Sequence, residues 1–100
     1  MAYQVLWAGK AIKSANAIID YLRKEWTEKE VGKFLDKTDR IIAAIELNPQ
    51  LFKVSAKRSN IHLALVNKHL FLVYQVRPTK KQIILLLFWD NRQNPKKIRY

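Results

Sequence analysis

The order of hydrophobic and polar residues predicts one strand and one helix at the start of the chain. Residues 3–7 alternate weakly and are rich in strand-forming side chains, so they are predicted to form a first strand. From Ala8 the apolar spacing changes to three and four residues, which is the period of a helix. The apolar stripe predicted for this helix consists of Ile12, Ala15, Ile19, Leu22 and Trp26.

A second helical pattern begins after Thr27, which together with Glu30 has the spacing of a capping box. In that motif Thr27 accepts a hydrogen bond from the Glu30 amide, and the Glu30 side chain reaches back to the Thr27 amide. The helix is predicted to end at Asn48, because Pro49 disfavours the helical conformation in the residue before it. Since the turn between the two helices is very short, we expect an antiparallel helical hairpin.

The second half of the chain is predicted to be rich in strands. Residues 50–60 have no clear period and are predicted to form a basic loop. Three β-rich segments follow, and their short connections suit antiparallel hairpins: residues 61–66, 70–76 and 82–89. The element order β-α-α-β-β-β predicts an α+β fold in which the helical hairpin covers one face of a mainly antiparallel sheet.

Length and composition indicate one globular domain spanning residues 1–100. The chain is 49% hydrophobic and 27% charged, which is typical of a folded protein. No apolar run approaches the ~18 residues that a membrane helix needs, so no membrane association is expected. The sequence begins without a signal-peptide pattern and contains no cysteine for a disulfide framework. These features favour the cytoplasm.

Charge is distributed very unevenly along the chain, whose formal net charge is +11. Residues 1–50 hold eight basic and seven acidic side chains, whereas residues 51–100 hold eleven basic side chains and a single acid, Asp90. A positive charge concentrated in one half of the chain favours association with nucleic acid or with an acidic protein segment. The alternative is a solvated surface that keeps the protein soluble. The side chains predicted to bind a target or partner are Lys57, Arg58, Lys68, Arg92, Lys96 and Lys97.

The residue types present offer little for a metal or a cofactor. The two histidines, His62 and His69, have no cysteine or nearby acid to complete a ligand set. The two glycines, Gly9 and Gly32, are too few for a phosphate-binding loop. We therefore expect neither a metal nor a cofactor.

Cleavage of RNA without a metal is the one reaction for which suitable side chains are present. It needs a base for the 2′-hydroxyl, an acid for the leaving oxygen and cations for the charge on phosphorus. Arg92, beyond the last predicted strand, and His62, on the strand after the basic loop, are the best placed. His69, near a predicted turn, is expected to be simply exposed. Tyr74, between apolar neighbours on a predicted strand, is expected in the core or at its rim. The other suitable residues are Lys57, Arg58 and Tyr100.

Segments spread over nearly the whole chain carry a family resemblance: residues 5–7, 18–22, 34, 48–49, 72–76 and 88–95. No single motif is specific, but the combination resembles the RelE/ParE superfamily of bacterial toxins. The resemblance implies the toxin of a type II toxin–antitoxin pair, often encoded for plasmid stabilisation. It also implies a cognate antitoxin whose acidic segment folds onto the toxin, in keeping with the basic second half of the chain.

The superfamily has two activities. RelE-like members cut messenger RNA on the ribosome, and likeness to them implies catalytic roles for His62 and Arg92, with weaker candidates in Lys57, Arg58 and Tyr100. These members typically carry an arginine where this chain has Phe71, and lysines at the positions aligned with His62 and Ala64. The missing guanidinium removes one stabiliser of the charge that develops on phosphorus.

ParE-like members poison DNA gyrase by binding, and the Arg-Gln-Asn-Pro sequence at residues 92–95 is more similar to theirs. A ParE-like toxin that inhibits DNA gyrase is therefore the favoured interpretation, so binding is favoured over catalysis. One alternative is a metal-independent, ribosome-dependent mRNA endonuclease. The other is a basic binding domain that has kept the fold and lost the toxicity.

Overall fold

Two helices and a five-stranded sheet make up the protein in a computed structural model that describes residues 3–55, 58 and 60–90. The α+β class, the two helices and the three C-terminal strands are as predicted, and the boundaries of those strands differ from the prediction by one residue. In chain order the elements are β1 (Gln4–Trp7), α1 (Gly9–Glu25), α2 (Glu28–Leu47), β2 (Lys53–Val54), β3 (Ile61–Asn67), β4 (Leu70–Arg77) and β5 (Gln82–Asp90).

The strands lie in the order β1-β5-β4-β3-β2. Three neighbouring pairs are antiparallel, and β1 pairs in parallel with β5. Parallel neighbours need a long connection, and here almost the whole chain separates the two strands. The prediction of a mainly antiparallel sheet is therefore confirmed, with the N-terminal strand at one edge.

The prediction of a loop over residues 50–60 is wrong at two positions, because Lys53 and Val54 form the edge strand β2. Lys53 pairs with Leu63, and Val54 pairs with His62. Two residues are too few for an alternating pattern to appear in a sequence. The neighbouring strand β3 imposes the extended conformation by pairing with them.

The second helix begins where predicted, but the capping box does not form. Thr27 is the N-cap residue of α2 and has an extended backbone, yet its side chain makes no capping hydrogen bond. The Thr27 carbonyl oxygen instead accepts a hydrogen bond from the Glu30 amide at 3.0 Å. The Glu30 carboxylate lies 3.5 Å from Lys33 Nζ, one turn further along the helix. The salt bridge to Lys33 replaces the return bond to Thr27.

The main core lies between the two helices and one face of the sheet. On α1, Ala15 of the predicted stripe is buried, and Ile19 and Leu22 pack against the core. Ile12 and Trp26 are instead 49% and 62% exposed, and Ala11 is buried in place of Ile12. The Ser14 hydroxyl accepts a hydrogen bond from the Phe88 amide at 2.9 Å and so joins α1 to β5.

The opposite face of the sheet, here called the outer face, is also apolar. It is formed by residues 61, 63 and 65 of β3, residues 71, 73 and 75 of β4 and residues 84, 86, 87 and 89 of β5. A register shift leaves Leu86 as an extra residue in β5, so Leu85 pairs with Tyr74 on the helix side and Leu87 pairs with Val73 on the outer face. Strict alternation would place Leu85 and Leu87 on one face.

Neither α1 nor α2 has a stretch long and apolar enough to cross a membrane. The prediction that residues 1–100 form a single domain stays a prediction.

Candidate functional site

The predicted site residues fall into two groups. Arg58, His62 and Lys68 are within the described part of the chain. Arg58 is exposed, and its carbonyl oxygen accepts a hydrogen bond from the Ile61 amide at 3.3 Å. Within residues 3–55, 58 and 60–90 no three histidine, aspartate or glutamate side chains lie close enough together to hold a metal ion. The remaining predicted residues lie outside the described residues, and their roles stay predictions: Lys57, Arg92, Lys96, Lys97 and Tyr100.

His62 is completely buried on the helix side of the sheet. It pairs with Tyr74 across β3 and β4, and the two rings are stacked with centroids 5.1 Å apart and planes inclined by 14°. His62 Nδ1 lies 2.9 Å from the Phe52 carbonyl oxygen. Because a carbonyl oxygen only accepts, Nδ1 carries a hydrogen and donates it. Nε2 has no hydrogen-bond partner among the described residues.

Tyr74 is also completely buried, in agreement with its predicted place in the core. Its hydroxyl donates a hydrogen bond of 2.9 Å to the Pro49 carbonyl oxygen. Burial raises the pKa of the Tyr74 phenol to about 12, and a backbone hydrogen bond from Phe52 lowers it by a smaller amount. The phenol therefore stays protonated and keeps its donor role at neutral pH.

Together the stacked pair holds residues 49–52, which connect α2 to β2. Tyr74 binds the first carbonyl of this segment and His62 binds the last. A general base has to come within hydrogen-bond distance of the substrate proton, and the buried His62 ring on the helix side does not offer that access in this structure. Ala64 is buried on the same side. The catalytic role of His62 stays a prediction, and its structural role is evident.

One end of the outer face presents a row of apolar side chains. Leu65 pairs with Phe71, and Phe71 pairs with Trp89, so the three lie side by side on β3, β4 and β5. Leu65 is 49% exposed, and the two aromatic residues are partly exposed. This part of the sheet is suited to contact with an apolar surface rather than with phosphate.

A groove of about 1500 Å³ opens between α1, α2 and the turn from β3 to β4, and it extends to Leu87 and Trp89 at the end of β5. Its floor is apolar, and five lysines line it together with two carboxylates, Glu30 and Asp90. Lys68 is the one predicted partner-binding residue among them. The lysines are Lys10, Lys13, Lys33, Lys37 and Lys68.

The four helical lysines of this groove were not predicted, because a charge count over each half of the chain does not reveal them. The numbers of basic and acidic residues in the first half of the chain are nearly equal, but most of the acids lie on helix surfaces that do not line the groove. The spacing of these residues along the helices would have identified the surface. Lys10, Lys13, Ala17 and Tyr21 recur at three- and four-residue intervals, and all of them line the groove.

Comparison with known proteins finds solved structures that share this arrangement of helices and strands. No family model matches the sequence, and no curated protein matches it significantly. The chromosomal ParDE TA system from P. aeruginosa aligns with a TM-score of 0.72 and 13% identity, over 89% of this chain and 96% of that chain. The YoeB/ParE toxin from Agrobacterium tumefaciens aligns with a TM-score of 0.64 and 8% identity, over 87% and 96% of the two chains.

A third similar structure is the YoeB–YefM complex from Staphylococcus aureus, with a TM-score of 0.59 and 14% identity, over 89% of this chain and 97% of that chain. All three alignments span most of both chains, so they include both helices and the sheet. The identities are low, and what the proteins share is the arrangement of these elements. The chain therefore has the fold of the ParE and YoeB toxins, as its resemblance to the RelE/ParE superfamily predicts.

Proposed function

We propose that this chain is the toxin of a type II toxin–antitoxin pair, that it works in the cytoplasm, and that it inhibits an essential target by binding rather than by cleavage. DNA gyrase is the target we favour. The fold shared with the ParDE system supports the toxin assignment, because that alignment covers 96% of the solved chain. A cognate antitoxin is the expected partner, as in the YoeB–YefM complex.

The observation that carries the binding mechanism is the apolar row of Leu65, Phe71 and Trp89 on the outer face. Cleavage of a phosphodiester needs cations or hydrogen-bond donors where charge develops on phosphorus. These three side chains offer contact area instead, and aromatic residues are enriched in the centres of protein interfaces. The outer face is therefore the surface we assign to the target.

The environment of His62 supports the same conclusion. Its ring is stacked on Tyr74 and hydrogen-bonded to the Phe52 carbonyl oxygen, so it serves the connection between α2 and β2. To act as a base, its Nε2 would have to become accessible to the substrate, whereas the ring is completely buried. A binding toxin needs no such rearrangement.

Inducible expression in a bacterial host without antitoxin tests this function. We expect growth arrest with double-strand DNA breaks and intact messenger RNA. Broken messages with intact DNA would replace the proposal with the endonuclease alternative. Normal growth, with the protein shown to be folded and abundant, would favour a basic binding domain without toxicity.

A further inference from the structure

We propose that one end of the sheet binds the phosphate backbone of duplex DNA, while the apolar row at the other end of the outer face meets the protein that holds that DNA. This inference rests on the proposed function for its choice of DNA, because gyrase acts on duplex DNA. The DNA-binding surface lies around the turn between β4 and β5. It is here called the basic end and consists of Gln4, Arg58, Arg77, Lys80, Lys81 and Gln82.

The register of the sheet builds a polar row at the basic end. Gln4 pairs with Gln82, and Gln82 pairs with Arg77, so the three lie side by side on β1, β5 and β4. Arg77 follows Gln75 by two residues and Gln82 precedes Ile84 by two, so the row is on the outer face. Neighbouring strands are about 4.8 Å apart, which makes the row roughly 10 Å wide. Its amide and guanidinium groups can all donate hydrogen bonds to phosphate oxygens.

Three further cations lie around this row. Lys80 and Lys81 are in the turn that joins β4 to β5. Arg58 comes two residues before Asn60, whose carbonyl oxygen accepts a hydrogen bond of 2.9 Å from the Val76 amide, so it is at the same end of the sheet. These cations are exposed, and among the described residues none of them forms an ion pair with an acid.

The acids of the chain lie away from the basic end. The eighth and last of them, Asp90, is at the opposite end of β5 and lines the groove beside the helices. The outer face therefore presents positive charge without a carboxylate to offset it, which complements the dense negative charge of a duplex. The other seven acids are on the helices, which cover the other face of the sheet: Asp20, Glu25, Glu28, Glu30, Asp36, Asp39 and Glu46.

Lys81 has a backbone conformation that lysine rarely adopts. Its φ is 55°, in the left-handed region that glycine and asparagine enter more easily. Its ammonium lies 5.6 Å from the centroid of the Tyr3 ring, which packs against the main core. This contact fixes a positive charge at a position where the backbone itself favours an uncharged residue.

Duplex DNA fits the basic end better than a single strand or an acidic protein segment does. Single strands are bound by stacking their bases on exposed aromatic rings. Tyr3, the aromatic residue that contacts this end, lies under Lys81 and packs against the core. An acidic protein segment needs apolar anchors, and the row of glutamines and arginine offers none. A duplex backbone is matched by cations and hydrogen-bond donors alone.

Binding of a fluorescent duplex of about 20 base pairs to the purified full chain, followed by anisotropy at several salt concentrations, tests the inference. Arg77→Gln combined with Lys80→Gln should weaken binding by about tenfold at low salt and reduce the slope of log affinity against log salt by about two. Lys24→Gln combined with Lys29→Gln makes the same charge change on the helices. This control should leave affinity within about twofold. All four side chains are exposed, and circular dichroism checks that the variants stay folded.

A single substitution separates charge from fold at the strained position. Lys81→Asn removes the ammonium but keeps a residue that tolerates the left-handed conformation. We expect an affinity for the duplex that is lower by about threefold and a salt slope reduced by about one. Thermal unfolding checks that the turn is intact.

Several results would overturn the inference. One is the absence of duplex binding, or equal weakening by the two double variants, since then only the net charge of the protein would matter. Another is tighter binding of single-stranded RNA of matched length than of the duplex. A third is stronger competition by a polyglutamate peptide than by unlabelled duplex.

The binding assay contains no gyrase and needs no toxicity, so the two proposals can fail separately. A protein that binds duplex DNA through the basic end without inhibiting gyrase loses the proposed function and keeps this surface. Inhibition of gyrase by a protein that does not bind duplex DNA at the basic end removes this inference alone.

Discussion

The imidazole ring of His62 lies flat against the phenol ring of Tyr74, with the ring centroids 5.1 Å apart. Each ring also holds one carbonyl oxygen of the segment after α2: Tyr74 binds that of Pro49, and His62 binds that of Phe52. The pair therefore fastens residues 49–52 to the middle of the sheet. This accounts for a histidine and a tyrosine with no solvent exposure in the core of a small protein.

The first prediction concerns the structural role of His62. His62→Ala removes the hydrogen bond to Phe52 and leaves a cavity beside Tyr74, so it should lower the free energy of unfolding by about 2–4 kcal/mol. Urea denaturation measures this. His69→Ala, at an exposed turn position, should change stability by less than about 0.5 kcal/mol. An unchanged stability for His62→Ala together with a lost activity would instead identify a catalytic residue.

The second prediction concerns the pH dependence of stability. The pKa of Tyr74 is about 12 in the folded protein, above its ordinary value of about 10. Between these values the unfolded chain releases the proton and the folded chain keeps it. The contribution of Tyr74 is therefore complete below pH ~10 and is lost as pH rises through ~12, at about 1.4 kcal/mol per pH unit.

Tyr74→Phe isolates this effect. The variant lacks the titrating phenol, so its stability should fall less steeply than that of the natural protein between pH ~10 and ~12. At neutral pH it should be less stable by about 1 kcal/mol, since the hydrogen bond to Pro49 is lost. Parallel stability curves for the two proteins across the alkaline range would contradict the assignment.

The third prediction concerns the link between α1 and β5. Ser14→Ala removes the acceptor of the Phe88 amide and leaves that N–H group without its bond, at a cost of about 1–3 kcal/mol. The matched control is Asn16→Ala, an exposed position on the same helix, which should change stability by less than about 0.5 kcal/mol. Hydrogen exchange at the Phe88 amide should accelerate only in the Ser14 variant; equal exchange in both variants would count against the link.

The fourth prediction concerns the outer face. Leu65→Gln places a polar side chain in the apolar row and should relieve growth arrest while leaving the protein folded. Ile12→Gln is the matched control, because both residues are 49% exposed and Ile12 is on α1, away from the outer face. Growth of cells expressing each variant measures the effect. Equal toxicity of the two variants would mean that the target does not meet the outer face at Leu65.

Much of the fold was predictable from local patterns. The helical periods and Pro49 locate both helices, and the β-rich segments locate three strands within a residue. The edge strand β2 was not predictable, because its conformation is imposed by β3 through pairing. The burial of Ala11 in place of Ile12 was also not predictable, since alanine has a weaker apolar signal than isoleucine.

The candidate site was harder to predict than the fold. Histidine is a common catalytic residue, but the structural role of His62 depends on the Phe52 carbonyl oxygen, ten residues earlier in the chain. No local pattern encodes that contact. The helical spacing of the groove lysines is visible in the sequence. A net charge taken over the first half of the chain does not reveal them, because acids elsewhere on α1 and α2 offset their positive charge.

The most direct measurement adds the purified protein to two reactions in parallel, DNA supercoiling by gyrase and translation of a defined message by ribosomes. We expect inhibition of supercoiling and an intact message. Leu65→Gln should weaken the inhibition, whereas Ile12→Gln should not. Unimpaired supercoiling together with cleavage of the translated message would overturn the proposed function.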